Sequence, residues 1–260
     1  MKNNFLYVLL VIIIAVSGCS QHRAAEIKQQ EDQIKTYETE KLIKFFTTCN
    51  SDIVKAVQVI ADYKMIANLT HLKRMDMEGR KYYLLERENL TKMIKAVTEG
   101  TYSDLILINK SGVIIYTMLN DEIFGQNVKT HLKDTALNTC FINSSQKGFY
   151  VEDISIFPSS NGTPKLFVSY PDKIEDFIRG VFIIQINSEI FKSIFEKIPI
   201  ITGMDGKYRL DKNDGNILQP YKYFDKIIPG NGRQYFEIEN KKYSYYQFKF
   251  NSLSWVIISE

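Results

Sequence analysis

The chain is poor in the residues that usually announce chemistry. Its 260 residues hold three histidines, His22, His71 and His131. They lie in unrelated segments, and none forms a HExxH or HxH pattern, so no metal site is expected. Three cysteines, Cys19, Cys49 and Cys140, are too few for a disulfide framework. Cys49 and Cys140 can pair in an oxidising compartment, but burial as separate small hydrophobes is the better expectation. There is no Gly-x-Ser-x-Gly elbow, phosphate-binding glycine loop or dinucleotide fingerprint, so neither an enzyme nor a cofactor is expected. The stretch from Asp211 to Asn216 superficially has the look of a calcium loop, but Lys222 stands where the last ligand, a glutamate, belongs. A net charge of only +3, dispersed along the chain, lacks the footprint that nucleic acid requires.

What is present begins with a basic, apolar leader. Lys2 precedes the apolar run Phe5 to Val16, and Ser17-Gly18-Cys19 follows. A spanning helix needs about 20 apolar residues; this run is shorter and reads as a secretory signal. Cysteine directly after small residues resembles the bacterial lipobox, whose cysteine is acylated and becomes the mature N-terminus. That resemblance implies lipidation at Cys19, removal of residues 1–18 and anchoring to a membrane. The alternative is a cleaved signal with an incidental cysteine. From Ala24 to Asn68 there is neither proline nor glycine, and a long helix is predicted. The segment is polar nearly all round to Glu40 and carries an apolar stripe from Phe45 onward. A second helix is predicted over Lys81 to Thr98, ending at Gly100. Packing of this helical stalk on its own domains is favoured over a coiled-coil dimer, because no apolar heptad repeat is sustained.

The most β-like stretch runs from Asp104 to Asn187. Two β-branched runs flank Asn109-Lys110-Ser111-Gly112 and predict a hairpin. Val128 to Phe141 has helical spacing, and three strands follow over Gly148–Asp153, Lys165–Tyr170 and Gly180–Asn187, with a turn-rich Pro158 to Pro164 between the first two. The order of Asn109-Lys110-Ser111-Gly112-Val113 with Tyr116, Phe124-Gly125-Gln126-Asn127, Asp153, Phe157-Pro158-Ser159, Gly162-x-Pro164, Tyr170-Pro171 and Gly180-Val181 leading to Gln185 resembles the extracytoplasmic Cache sensor domains of bacterial chemoreceptors. A smaller companion follows Pro199 and Gly203. Lys207 to Leu218 repeats the strand, polar turn, strand theme, and strands are predicted over Gln234–Glu239, Tyr243–Phe250 and Trp255–Ser259. Gly206 to Asp211 and Ser254 to Ile258 resemble the first and last strands of the membrane-proximal module of double Cache sensors.

The expectation is therefore an α+β protein: a signal peptide (1–18), a long N-terminal helical stalk (19–98), a membrane-distal PAS-like Cache module (99–198) and a smaller proximal one (199–260). The resemblance implies a lipid-anchored, extracytoplasmic sensor that binds a small molecule and signals through a separate protein. The alternative is a structural or adaptor lipoprotein whose aromatic clusters, Tyr221/Tyr223/Phe224 and Tyr243/Tyr245/Tyr246, form a protein-binding surface.

In this family the ligand lies against the sheet of the distal module. Tyr116, Asp153, Ser169 and Gln185 are the candidate ligand contacts, Gln185 because it is the polar member of a row with Val181 and Ile183. The bland alternative is that Tyr116 and Ser169 are satisfied core groups and Asp153 caps a loop. The amino-acid-sensing branch of the family carries an Arg-x-Trp-Tyr run and a last-strand aspartate that holds the ligand ammonium. Here Lys129-Thr-His-Leu replaces the run and Gln185 the aspartate, and a neutral amide cannot give the charge-assisted bond, so amino acids are doubtful ligands.

Overall fold

The computed structural model describes residues 37–60, 63, 66, 69, 71–119, 122–157, 162–228, 230 and 232–260. The leader, Cys19, the first part of the stalk and most of the Pro158 to Pro164 turn lie outside the described residues. The chain divides into two units, Met1–Leu42 and Ile43–Glu260. Of the first, only 37–42 are described, and they are helical. No helix among the described residues is long and apolar enough to cross a membrane.

The chain is α+β, with helices followed by two antiparallel sheets. Helix α1 is described over 37–60 and α2 over Met77–Val97. The first sheet contains β1 (Asp104–Asn109), β2 (Ile114–Thr117), β3 (Tyr150–Ile156), β4 (Pro164–Ile174) and β5 (Phe177–Asn187), and helix α3 (Ala136–Lys147) is inserted between β2 and β3. After the short helix α4 (Ile190–Ile194), the second sheet contains β6 (Ile200–Gly203), β7 (Tyr208–Leu210), β8 (Gln234–Ile238), β9 (Lys241–Phe250) and β10 (Leu253–Ser259). Their orders are β2-β1-β5-β4-β3 and β7-β6-β10-β9-β8, the same permutation used twice.

This permutation explains the unbroken apolar runs. Strands β1 and β5 are central, so both of their faces are covered, and every residue of β1 and of Gly180–Ile186 is buried. Helix α2 packs against the edge strand β2 on one face of the first sheet, and α3 covers the other face. Tyr83 of α2 donates to the Thr117 carbonyl at 3.0 Å, while Leu137, Cys140 and Phe141 of α3 share a core with Ile106, Ile183 and Phe167. Gly180 lies so close to β1 that a Cβ there would meet the Ile108 carbonyl oxygen at 2.4 Å, so no other residue fits.

Three expectations are corrected. The inserted helix spans 136–147 rather than starting at Val128. Residues 128–135 form turns held by Asn127, whose Oδ1 accepts from Lys129 N at 2.9 Å and whose carbonyl accepts from His131 N at 2.8 Å. Val128 and Leu132 are buried from those turns, which is why their spacing imitates a helix. Helix α2 begins at Met77, because Asp76 caps it by accepting from Gly79 N at 2.7 Å. In the second sheet, Lys207 to Leu218 forms one short strand and a 3₁₀ turn, and β6 occupies the supposed boundary at Pro199 to Gly203. The hairpin partner of β7 is β6.

A buried carboxylate ties α1 to the first sheet. Asp52 is 0% exposed, and its Oδ2 accepts from Glu99 N and Gly100 N at 2.8 Å and from the Tyr102 hydroxyl at 2.5 Å. These donors lie in the connection from α2 to β1, so Asp52 sets where the central strand begins. Beside it, burial pushes the Cys49 thiol up to about 12. Cys49 and Cys140 are both free and buried. Replacing Asp52 with alanine leaves three donors without their acceptor and should cost about 2–4 kcal/mol. Urea unfolding of the D52A protein measures this; a loss below about 1 kcal/mol would show that water substitutes for the carboxylate.

Candidate functional site

The candidate site is the face of the first sheet that α3 covers. Cross-strand partners share a face, so the register lays out its rows. One row is Asp104, Gln185, Phe167 and Glu152, running across β1, β5, β4 and β3. The next, towards the β4–β5 hairpin, is Ile106, Ile183, Ser169 and Tyr150. On the other side, where β5 leaves for the second sheet, stand Lys165 and Asn187. The rows under α3 are mostly apolar, whereas the Gln185 and Lys165 rows gather polar groups.

Gln185 is 4% exposed. Its backbone carbonyl accepts from Ser103, but its side-chain amide has no partner among the described residues. The amide is not among the side-chain atoms that are both enclosed and unpaired, so it borders space that water can enter. Lys165 is 9% exposed; its ammonium donates to Asn187 Oδ1, and burial lowers its pKa although Glu189 and Asp104 oppose the shift.

The other candidates lie elsewhere or are already satisfied. Ser169 faces the same side but sits under α3, its hydroxyl donating to the Tyr150 carbonyl at 3.3 Å. Tyr116 turns to the opposite face. The β1–β2 register advances one residue on β1, from Leu107 to Ile108, while it moves two on β2, from Tyr116 to Ile114. The extra residue, Ile115, is a bulge, and it sends Tyr116 towards α2, where its hydroxyl meets Thr91 Oγ1 at 2.8 Å. Burial pushes that phenol up to about 12.

Asp153 is displaced by a second bulge, between Glu152 and Ser155 of β3. It turns to the other sheet, where Oδ2 accepts from Arg209 Nε at 2.9 Å and pairs with Arg209 Nη2 at 2.8 Å, while Oδ1 accepts from Trp255 Nε1 at 2.9 Å. Asp205 pairs with the same guanidinium at 3.1 Å. The turn between β9 and β10 completes this contact: Asn251 Oδ1 accepts from Val151 N at 3.1 Å, and Asn251 Nδ2 donates to the Phe149 carbonyl at 3.0 Å. The outer edge of β3 is thereby capped. Asp153 joins the sheets and does not line the Gln185 row.

Asp104 was not among the candidates, although a carboxylate opening an otherwise apolar central strand is legible in the sequence. Its Oδ1 accepts from Leu105 N, Met118 N and Leu119 N, and its Oδ2 from Thr117 Oγ1 at 2.8 Å. It fixes the turn after β2. The aromatic residues suggested as a partner surface are instead core: Tyr221 and Tyr245 form a buried cluster with Val256, against which Tyr223, Phe224 and Tyr243 pack, and Tyr246 is buried.

No family model matches the sequence, and no curated protein matches it. The fold, by contrast, is a known one. The ligand-binding domain of the Campylobacter jejuni chemoreceptor Tlp3, in complex with 4-methylisoleucine, superposes with a TM-score of 0.62 at 13% identity, covering 89% of this chain and 89% of that one. The Vibrio cholerae histidine kinase DctB sensor domain gives 0.60 at 13% identity, covering 90% and 97%. The ligand-binding domain of the Pseudomonas fluorescens chemoreceptor CtaA, in complex with L-alanine, gives 0.58 at 12% identity, covering 87% and 93%. The chain has the fold of Cache-type sensor domains.

Burial raises the pKa of Glu152, with the charge of Asp153 adding to it and the Tyr150 hydroxyl opposing. A carboxyl whose pKa is higher folded than unfolded binds its proton more tightly in the fold. The stability withheld at neutral pH therefore returns as pH falls through the raised value, and is complete below the ordinary carboxylate value. Wild type should gain melting temperature relative to E152Q between neutral and mildly acid pH. A difference that stays constant, or that shrinks on acidification, would contradict the burial account.

Proposed function

We propose that this protein is a lipid-anchored extracytoplasmic sensor that binds a small molecule on the α3-covered face of its first sheet and reports occupancy to a separate signalling protein. One observation carries the ligand-binding reading: Gln185 is a buried residue on that face whose side-chain amide bonds to no described residue and borders space that water can enter. The fold supports the same reading, since the neighbours in complex with L-alanine and 4-methylisoleucine are ligand-binding domains of chemoreceptors. The leader ending in Gly18-Cys19 supports the anchor. The adaptor reading loses its proposed surface, because its aromatic residues are largely internal.

A route for the report follows from the chain path. Three residues beyond Asn187, the end of β5, the chain enters α4, where Phe191 lies 5.2 Å from the ring of Phe45 on α1 and 5.7 Å from Trp255 on β10. Trp255 is in turn held by Asp153. Displacing the end of β5 therefore moves groups that touch α1 and both sheets. A ligand can bias this arrangement only by its differential affinity for two states of it.

The test is a thermal-shift screen of the purified protein against metabolites, alongside the Q185L variant. A ligand present at about 100 times its Kd should stabilise wild type by about 2.7 kcal/mol, which for a domain of this size is a shift of roughly 5–10 °C. Q185L should lose that response while melting at or above the wild-type temperature without ligand. An equal response in Q185L would remove Gln185 from the site, and no response to any compound would remove the sensor reading.

A further inference from the structure

We infer that the ligand is a small organic carboxylate without an ammonium group, held between Lys165 and Gln185. The inference rests on the sensor reading of the preceding subsection and names the chemistry that the same site selects.

It starts from the lysine. Lys165 is nine-tenths buried. An ammonium has three donors, and among the described residues only Asn187 Oδ1 receives one. No carboxylate of a described residue lies within ion-pairing distance of it. Asp104 is near enough to act on it through its charge, but that carboxylate already accepts from three backbone N–H groups and the Thr117 hydroxyl. Glu189, which also acts at a distance, is exposed. Burying an ammonium with so few acceptors is unfavourable, and a methionine of similar length would suit the site better if packing were its only task.

The second observation is the placement of Gln185. On β5 it stands two residues from Asn187, the cross-strand partner of Lys165, so side chains at the two positions are diagonal neighbours on one face. A cation with spare donors and an amide with spare donors thus border the same strip of sheet. Together they match the two oxygens of a carboxylate, one taken by a charge-assisted bond and the other by the amide N–H. The amide oxygen remains to accept from a hydroxyl.

An ammonium on the ligand has no comparable receptor there. Asp104 is committed to its own turn. Glu152 ends the Gln185 row beyond Phe167, two strand spacings or about 10 Å from Gln185, and although its strand neighbours that of Lys165 no ion pair joins the two. Its carboxylate also accepts from the Tyr150 hydroxyl at 2.6 Å. An α-amino acid would place its ammonium within a few ångströms of its carboxylate, beside Lys165, where like charges repel.

The experiment uses three compounds with one carbon skeleton: L-lactate, L-alanine and L-lactamide. Acetate, pyruvate and succinate widen the carboxylate set, all as sodium salts at equal ionic strength. Melting temperatures are measured for wild type, K165M and Q185L. The expected result is that at least one ammonium-free carboxylate raises the wild-type melting temperature by several degrees, that L-alanine and L-lactamide do not, and that K165M abolishes the shift. Without ligand, K165M should melt at or above wild type, which a merely structural lysine would not allow. Stabilisation by L-alanine or L-lactamide in place of the carboxylates would overturn the ligand class but leave the sensor reading standing. A carboxylate response that survives in K165M, or no response to any carboxylate, would overturn the inference. The sensor reading is judged separately by the wider screen.

Discussion

A strand in the middle of a sheet has no solvent face, and this constraint governs the chain. The β2-β1-β5-β4-β3 order puts β1 and β5 in that position, so helices must be supplied to both faces. Helix α2 packs against β2 on one and α3 covers the other, and α1 is bound to the entry of β1 through Asp52. The apolar burial of β1 and β5 contributes to the driving force. Polar groups on those strands are therefore exceptional, and each requires a local reason. Asp104 has one in the turn it holds. Gln185 has none within the described residues, which makes it informative.

The two sheets are joined through one edge. β3 presents an unpaired edge that would otherwise invite association, and the Asn251–Ser252 turn of the second sheet closes it. Asp153, Arg209 and Trp255 lock the same contact from the side chains. Arg209 is buried, and Asp153 and Asp205 both pair with it, so the joint has directional geometry as well as charge balance. The sheets therefore do not meet through a flat apolar interface that could slide.

Much of this was legible in the sequence. All five strands of the first sheet were expected, β1 and β2 from their β-branched runs, and the resemblance to Cache sensors pointed to the fold the structure has. The site residues were less legible, for a single physical reason. Assigning a side chain to a face assumes strict alternation, and one extra residue inverts it. Ile115 inverts Tyr116, and the bulge after Glu152 redirects Asp153. Neither bulge is marked by a glycine or any other local signal. Gln185 and Ser169 lie in the regular β4–β5 register, and there alternation placed them on the face expected. Lys165 escaped attention because a lysine at the start of a strand reads as solvated; only the folded burial distinguishes it.

The repeated permutation has a consequence for how the chain is made. In each half the strand laid down last, β5 or β10, belongs at the centre of its sheet, between strands that left the ribosome earlier. Neither half can zip up from one edge as it emerges. Each waits with an open slot, exposing the two hydrogen-bonding borders that the final strand will occupy, and the pairings it makes there span much of the module. A nascent or exported chain of this design is vulnerable for nearly the whole time each half takes to appear. Loss of only the seven residues of β10, Leu253–Ser259, would remove the keystone of the second half and leave two disconnected flaps.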